Sequence, residues 1–268
     1  MNVDGEWSQV KRELQTKLDR LFSIAPEYFT EFDSLLDVNE LAELGYPRNF
    51  PHLTCLMCSI PPEHHQGFSD GKHTLAETTF GGRLQFGLLP AACYKVYLQR
   101  RDTKLNRPCV VGCEARCYRF EDKPLDSFRA HNFTMKEFVY LGESTGATDH
   151  INTGRDIISG FLDRLGITHS MEVANDPFFD STSSVATLSR ALPTKTEVVF
   201  EGHAISSLNI HRAYFGNKFN ISLDGKPICT SCVAFGVDRW LSMLRSVFSE
   251  PRKALNALAS ARDVSADP

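Results

Sequence analysis

The chain has 268 residues, 42% of them hydrophobic and 23% charged, with a formal net charge of −4. This is the make-up of a globular chain with enough apolar material for a sizeable core, and it excludes a disordered or fibrous protein. No apolar run reaches the roughly 20 residues a membrane span needs, the polar, acidic start (Met1 to Glu6) has no signal-peptide order, and the negative balance argues against a broad nucleic-acid surface. The expectation is a cytoplasmic protein that meets no membrane.

The first predicted element is an amphipathic helix over about 6–22, where Trp7, Val10, Leu14, Leu18 and Leu21 recur at three- and four-residue steps. Its plain role is packing. From residue 109 the pattern changes to short β-type runs at 109–119, 138–142, 197–202, 206–213, 219–223 and 228–235. A helix at about 154–165, with Ile157, Ile158, Phe161, Leu162 and Leu165 on one face, interrupts them. Asp224-Gly225 lies between two of the runs and has the composition of a two-residue hairpin turn, because glycine supplies the positive φ that such a turn needs. A last helix follows Gly236 and carries Trp240, Leu241, Leu244, Val247 and Phe248; residues after Ala261 show no pattern and are expected to fray. No repeat divides the chain, so the reading is a single domain over 1–268, with a helical N-terminal extension over 1–40 and a C-terminal tail over 249–268.

Eight cysteines in a reducing compartment point to free thiols or metal ligands and away from disulfides. Two Cys-x-x-Cys pairs occur, Cys55/Cys58 and Cys229/Cys232. They are far apart in the chain and neither has the turn glycines of a zinc knuckle, so the spacing alone does not carry a four-cysteine site.

The chemistry lies in a contiguous stretch. Tyr118-Arg119-Phe120-Glu121 is followed by a short loop and then by Arg129, Phe133 and Glu137 at steps of four. Arg-x-Glu alone is common on surface hairpins, but the whole pattern resembles motif 2 of the class II aminoacyl-tRNA synthetases: aromatic-Arg-x-Glu, a variable loop, then Arg-x-x-x-Phe-x-x-x-Glu. The resemblance implies Arg119 on the ATP α-phosphate, Glu121 at the adenine edge, Arg129 near the distal phosphates and Phe133 stacked on the adenine. Ala234-Phe235-Gly236-Val237-Asp238-Arg239 resembles motif 3 (Gly-x-Gly-x-x-Arg) with alanine at the first glycine, and implies Arg239 on the γ-phosphate side. Gly45-Tyr46-Pro47 through Phe50-Pro51 resembles motif 1, which forms the homodimer interface of the class.

Within the class, the chain is most similar to the atypical, archaeal-type seryl-tRNA synthetases and their bacterial homologues, the amino acid:carrier-protein ligases. That resemblance implies an α+β catalytic fold with an antiparallel sheet flanked by helices, and one catalytic zinc per chain held by Cys93, Glu137 and Cys232. Three protein ligands leave one tetrahedral position for the α-amino group of a substrate. It also implies a substrate pocket on 206–216, where alternation puts Ser207, Asn209 and His211 on one face, and Lys195 and Glu197 near ATP and its Mg²⁺. The implied reaction activates a small amino acid, glycine or alanine, to aminoacyl-AMP and transfers it to the phosphopantetheine thiol of a carrier protein, with Arg119 and Arg239 as catalytic residues. Arg100, Arg101, Lys104 and Arg107 form a basic cluster suited to an acidic carrier. No tRNA-binding domain is expected, and tRNA is not expected as a partner. The alternatives are a minimal seryl-tRNA synthetase-like enzyme that acylates tRNA and a non-catalytic paralogue.

Overall fold

A computed structural model describes residues 5–74, 84–192 and 194–261. The residues expected to fray after Ala261 lie outside this set.

The centre is a seven-stranded sheet in the order Phe29–Phe32, Cys109–Tyr118, Asn132–Gly142, Cys229–Gly236, His203–Arg212, Lys195–Phe200, Ser170–Ala174. Every neighbouring pair is antiparallel except Phe29–Phe32, which runs parallel to Cys109–Tyr118 at one edge. The fold is the expected α+β class, with a mixed edge in place of a purely antiparallel sheet.

Side chains alternate across this sheet and feed two cores. Phe138, Val233, Phe235 and Leu208 point to the first, which the helices Gly5–Leu21, Ser144–Arg164, Val237–Phe248 and Pro251–Ser260 cover with Leu14, Phe161, Trp240 and Leu258. Val139, Leu141, Cys232 and Ala234 point to the second, together with Tyr97 from the helix Cys93–Gln99 and Phe215 from the short helix Tyr214–Lys218. Large apolar side chains on both faces of the central strands explain why those runs lack clean alternation of apolar and polar residues.

The N-terminal helix spans Gly5–Leu21, close to expectation, whereas the helix expected at 154–165 extends back to Ser144 through the polar stretch Ser-Thr-Gly-Ala-Thr-Asp-His, which carries no apolar stripe. The run 219–223 is strand only at Ser222–Leu223. Phe219 and Ile221 are apolar because they are buried in the second core, not because they pair in a sheet. Asp224 and Gly225 do form the hairpin turn, with φ of 50° and 75°. At Gly216 a Cβ would collide with the backbone of Ile228, so glycine is needed there to seat the helix Tyr214–Lys218 against the sheet.

Candidate active site

A cavity of about 470 Å³ opens on the second-core face of the sheet. The outward residues of four central strands form its floor. Across it lie the turn around Tyr46 and Phe50, Phe178, and the helix Ser184–Ala191.

One end is cationic. Arg119 follows directly on the strand Cys109–Tyr118; its Nε donates to Pro90 O at 3.0 Å, and its guanidinium lies 5.3 Å from the centre of the Phe133 ring. Arg239 enters from the first turn of the helix Val237–Phe248 and donates to two carbonyls, Phe128 O and Ala204 O, both at 2.8 Å. Arg129 pairs with Glu121 at 2.6 Å. Burial, and then the like charges of Arg119 and Arg129, lower the pKa of Arg239, as expected where three guanidinium groups converge. Such a cluster, with Glu121 paired to one of its members, suits an anion.

The other end is dry and rich in soft donors. Glu137 and Cys232 sit diagonally on adjacent strands, with Glu137 opposite Ala234 in the register, and Cys93 begins the helix Cys93–Gln99 above them. Their ligand atoms all lie within 4.8 Å of one another, and the three residues are buried. Glu137 Oε1 accepts from the backbone N–H groups of Ala92 and Cys93 at 2.8 and 3.2 Å, and Oε2 accepts from Cys232 Sγ at 2.8 Å. The Cys232 thiol is pushed up by burial and by its bonds and charges from Cys93 and Glu137. Two thiols and a carboxylate so arranged fit a soft divalent cation such as zinc, whose charge would offset the burial of three ionised donors. Among the described residues, this is the one group of metal-type ligands that converges.

Between the ends lies the wall of the strand His203–Arg212. Ser207, Asn209 and His211 all line the cavity, and Asn209 Nδ2 donates to Ser207 Oγ at 3.2 Å, confirming their common face. His211 Nδ1 lies 3.1 Å from Thr230 Oγ1, and burial lowers its pKa to about 4.

No protein-family model matches the sequence. Two curated proteins of Bradyrhizobium diazoefficiens do: amino acid–acyl-carrier-protein ligase 1, 28% identical over 263 residues covering 89% of this chain and 78% of the relative, and amino acid–acyl-carrier-protein ligase 2, 30% identical over 230 residues covering 78% and 66%. This chain is a homologue of the amino acid–acyl-carrier-protein ligases. Solved structures agree on the fold. The M. kandleri seryl-tRNA synthetase in complex with A. aeolicus tRNASec superposes with a TM-score of 0.77 at 17% identity, over 94% of this chain and 55% of that one. The cytoplasmic serine-tRNA ligase of Naegleria fowleri in complex with AMP gives 0.67 at 11%, over 99% and 61%. The chain thus spans little more than half the length of these synthetases and shares their class II catalytic fold.

Against this ligase background, most of the residues singled out in the sequence meet at the cavity: Cys93, Arg119, Arg129, Phe133, Glu137, Lys195, Glu197, Ser207, Asn209, His211, Cys232 and Arg239 all line it. Glu121 does not; it stands behind Arg129 as its counter-ion. Lys195 and Glu197 pair with each other at 2.9 Å. Cys229 points to the opposite face of its strand from Cys232, and Cys55 and Cys58 lie apart from the ligand group. The basic cluster at 100–107 does not line the cavity; Arg101 pairs with Glu43 at 2.5 Å. The turn Gly45–Pro51 places Tyr46 and Phe50 in the cavity wall.

Sequence reasoning missed Asp176 and the aromatic wall. Asp176 lines the cavity with its side chain 48% exposed and bonds Lys195 at 3.0 Å. Two residues on, Phe178 stacks on Phe50 at 5.0 Å, and Tyr46 meets Tyr94 at 6.1 Å. Asn175-Asp176-Pro177 reads as any polar turn, so the sequence held no signal for Asp176.

Proposed function

We infer that the chain activates a small amino acid with ATP as its aminoacyl-adenylate and transfers the acyl group to the phosphopantetheine thiol of a carrier protein. The carrying observation is one cavity of about 470 Å³ with three arginines at one end and a Cys-Glu-Cys group at the other. A triphosphate needs the first, and an amino acid, with its free amine, suits the second.

Phe133 stacks on the adenine, and Arg129, with Glu121 as its counter-ion, lies toward the distal phosphates. Arg119 and Arg239, held from behind by carbonyls, stabilise charge at the α-phosphate and the leaving pyrophosphate. The amino-acid carboxylate forms the bond to the α-phosphorus as the bond to pyrophosphate breaks; Mg²⁺ travels with the ATP, near Glu197 and Lys195. Cys93, Glu137 and Cys232 would hold one zinc, which when bound supplies a Lewis-acid position for the substrate amine. Ser207, Asn209 and His211 contact the amino acid, and the rings of Tyr46, Phe50 and Tyr94 support a small one, glycine or alanine. The carrier thiolate then attacks the acyl carbon and AMP leaves.

The names of the two relatives support a carrier protein over tRNA as acceptor. Exposed Leu56, Met57 and Phe86, on the small sheet next to the Gly45–Pro51 turn, support a homodimer through that face. The test is incubation with Mg-ATP, labelled glycine or alanine, and either a holo carrier protein or total tRNA. Label is expected on the carrier as a thioester. Label on tRNA alone would replace the carrier by tRNA.

A further inference from the structure

The N-terminal helix Gly5–Leu21 carries two stripes. Val10, Leu14, Leu18 and Leu21 sink into the first core. Beside them Lys11, Gln15 and Asp19, one helical turn apart, reach the back of the hairpin formed by Cys109–Tyr118 and Asn132–Gly142. Lys11 Nζ donates to Thr134 Oγ1 at 3.0 Å and to Asp238 Oδ1 at 3.2 Å. Gln15 donates to Glu114, and Lys136 Nζ donates to both oxygens of Asp19 at 2.7 and 2.8 Å. Thr134 and Lys136 alternate along their strand with Phe133, Met135 and Glu137, which line the cavity on the other side.

Asp238 is the junction. Its Oδ2 accepts from the Thr134 backbone N–H at 2.5 Å, and Arg116 stands 3.7 Å away. The carboxylate is 8% exposed and the Lys11 side chain 17%. Thr134 directly follows Phe133 and Asp238 directly precedes Arg239, so this bond, next to the paired residues Met135 and Gly236, ties the segment that carries Phe133 to the one that carries Arg239. Removing Lys11 leaves a buried carboxylate without its nearest cation, and such a group turns toward water or toward Arg116, taking the first turn of the helix Val237–Phe248 with it.

We propose that Lys11 is a positioning residue for the nucleotide: by neutralising Asp238 and bridging it to Thr134, it holds Phe133 and Arg239 at the spacing ATP requires. This rests on the ATP-activating reading of the cavity. The Cys-Glu-Cys end is tied by its own bonds, from Ala92, Cys93 and Cys232 to Glu137, so the effect is selective.

The experiment measures Mg-ATP binding by calorimetry and ATP–pyrophosphate exchange in Lys11→Met, Lys11→Arg and Asp238→Asn, with Arg12→Met on the exposed side of the same helix as control. Lys11→Met raises the Kd and the KM for ATP about tenfold, as small misplacements of binding groups do, and lowers the melting temperature, while the KM for the amino acid stays near wild type. Lys11→Arg restores most of the loss, Arg12→Met behaves as wild type, and Asp238→Asn repeats the ATP-selective loss should Lys11→Met fold poorly. Wild-type ATP binding in folded Lys11→Met, or a parallel rise in both KM values, overturns the proposal alone. A wild-type protein that binds no ATP overturns the functional reading and this inference with it.

Discussion

At one end of the cavity, three guanidinium groups converge and are braced from behind by the carbonyls of Pro90, Phe128 and Ala204 and by the carboxylate of Glu121. At the other, two thiols and a carboxylate converge and are braced by the backbone N–H groups that open the helix Cys93–Gln99. The braces are alike and the charges opposite. Each end keeps like-charged or electron-rich groups together by bonding them outward to the scaffold, which leaves the inward side short of a counter-charge. The first end suits a polyanion and the second could hold a cation, and both are held in place by bonds to the scaffold.

The largest expected effect breaks the second end. Cys232→Ser removes one soft donor, so zinc measured by plasma mass spectrometry falls from about one per chain toward zero, and adenylate formation falls to background, because three-ligand sites do not survive as two. Cys229→Ser, on the opposite face of the same strand, leaves both at wild type. Zinc retained by the Cys232 variant would show that the group is not the metal site.

Breaking the first end costs less. Arg119→Ala and Arg239→Ala each lower the rate of ATP–pyrophosphate exchange about a hundredfold, or about 3 kcal/mol, with folding unchanged. Rates near wild type in either would mean that the converging arginines do not hold the triphosphate.

The smallest effect sharpens the comparison through pH. His211, in the cavity wall, and His150, behind the sheet against Ser231 Oγ at 2.9 Å, are both lowered by burial to about 4. The unfolded chain takes up protons near pH 6.5 whereas the folded chain stays neutral at both rings until about pH 4. Stability therefore falls as pH drops through that window, by on the order of 1–2 kcal/mol per histidine once partial exposure is allowed for. Urea midpoints at pH 7.0, 5.5 and 4.5 measure the slope, and a flat profile would mean that the rings are solvated.

Much of the site was legible because the chain writes it locally. Arg119, Arg129, Phe133 and Glu137 belong to one hairpin, where their order resembles a known motif, and strand alternation puts Ser207 and Asn209 on one face of one strand. Asp224-Gly225 marks its turn because backbone sterics leave few residues able to adopt positive φ. Tertiary structure decided the rest. Glu137 and Cys232 are 95 positions apart, and their pairing is implied only by the family resemblance, not by any local pattern; Lys11 and Asp238, 227 apart, are announced by neither, and both pairs meet because the sheet order sets their strands and helices beside one another. Asp176 lines the cavity beside Phe178, which stacks on Phe50, a contact no local pattern announces. Local preference acts over a turn or a strand, whereas cavity walls are assembled by packing between segments distant in the chain.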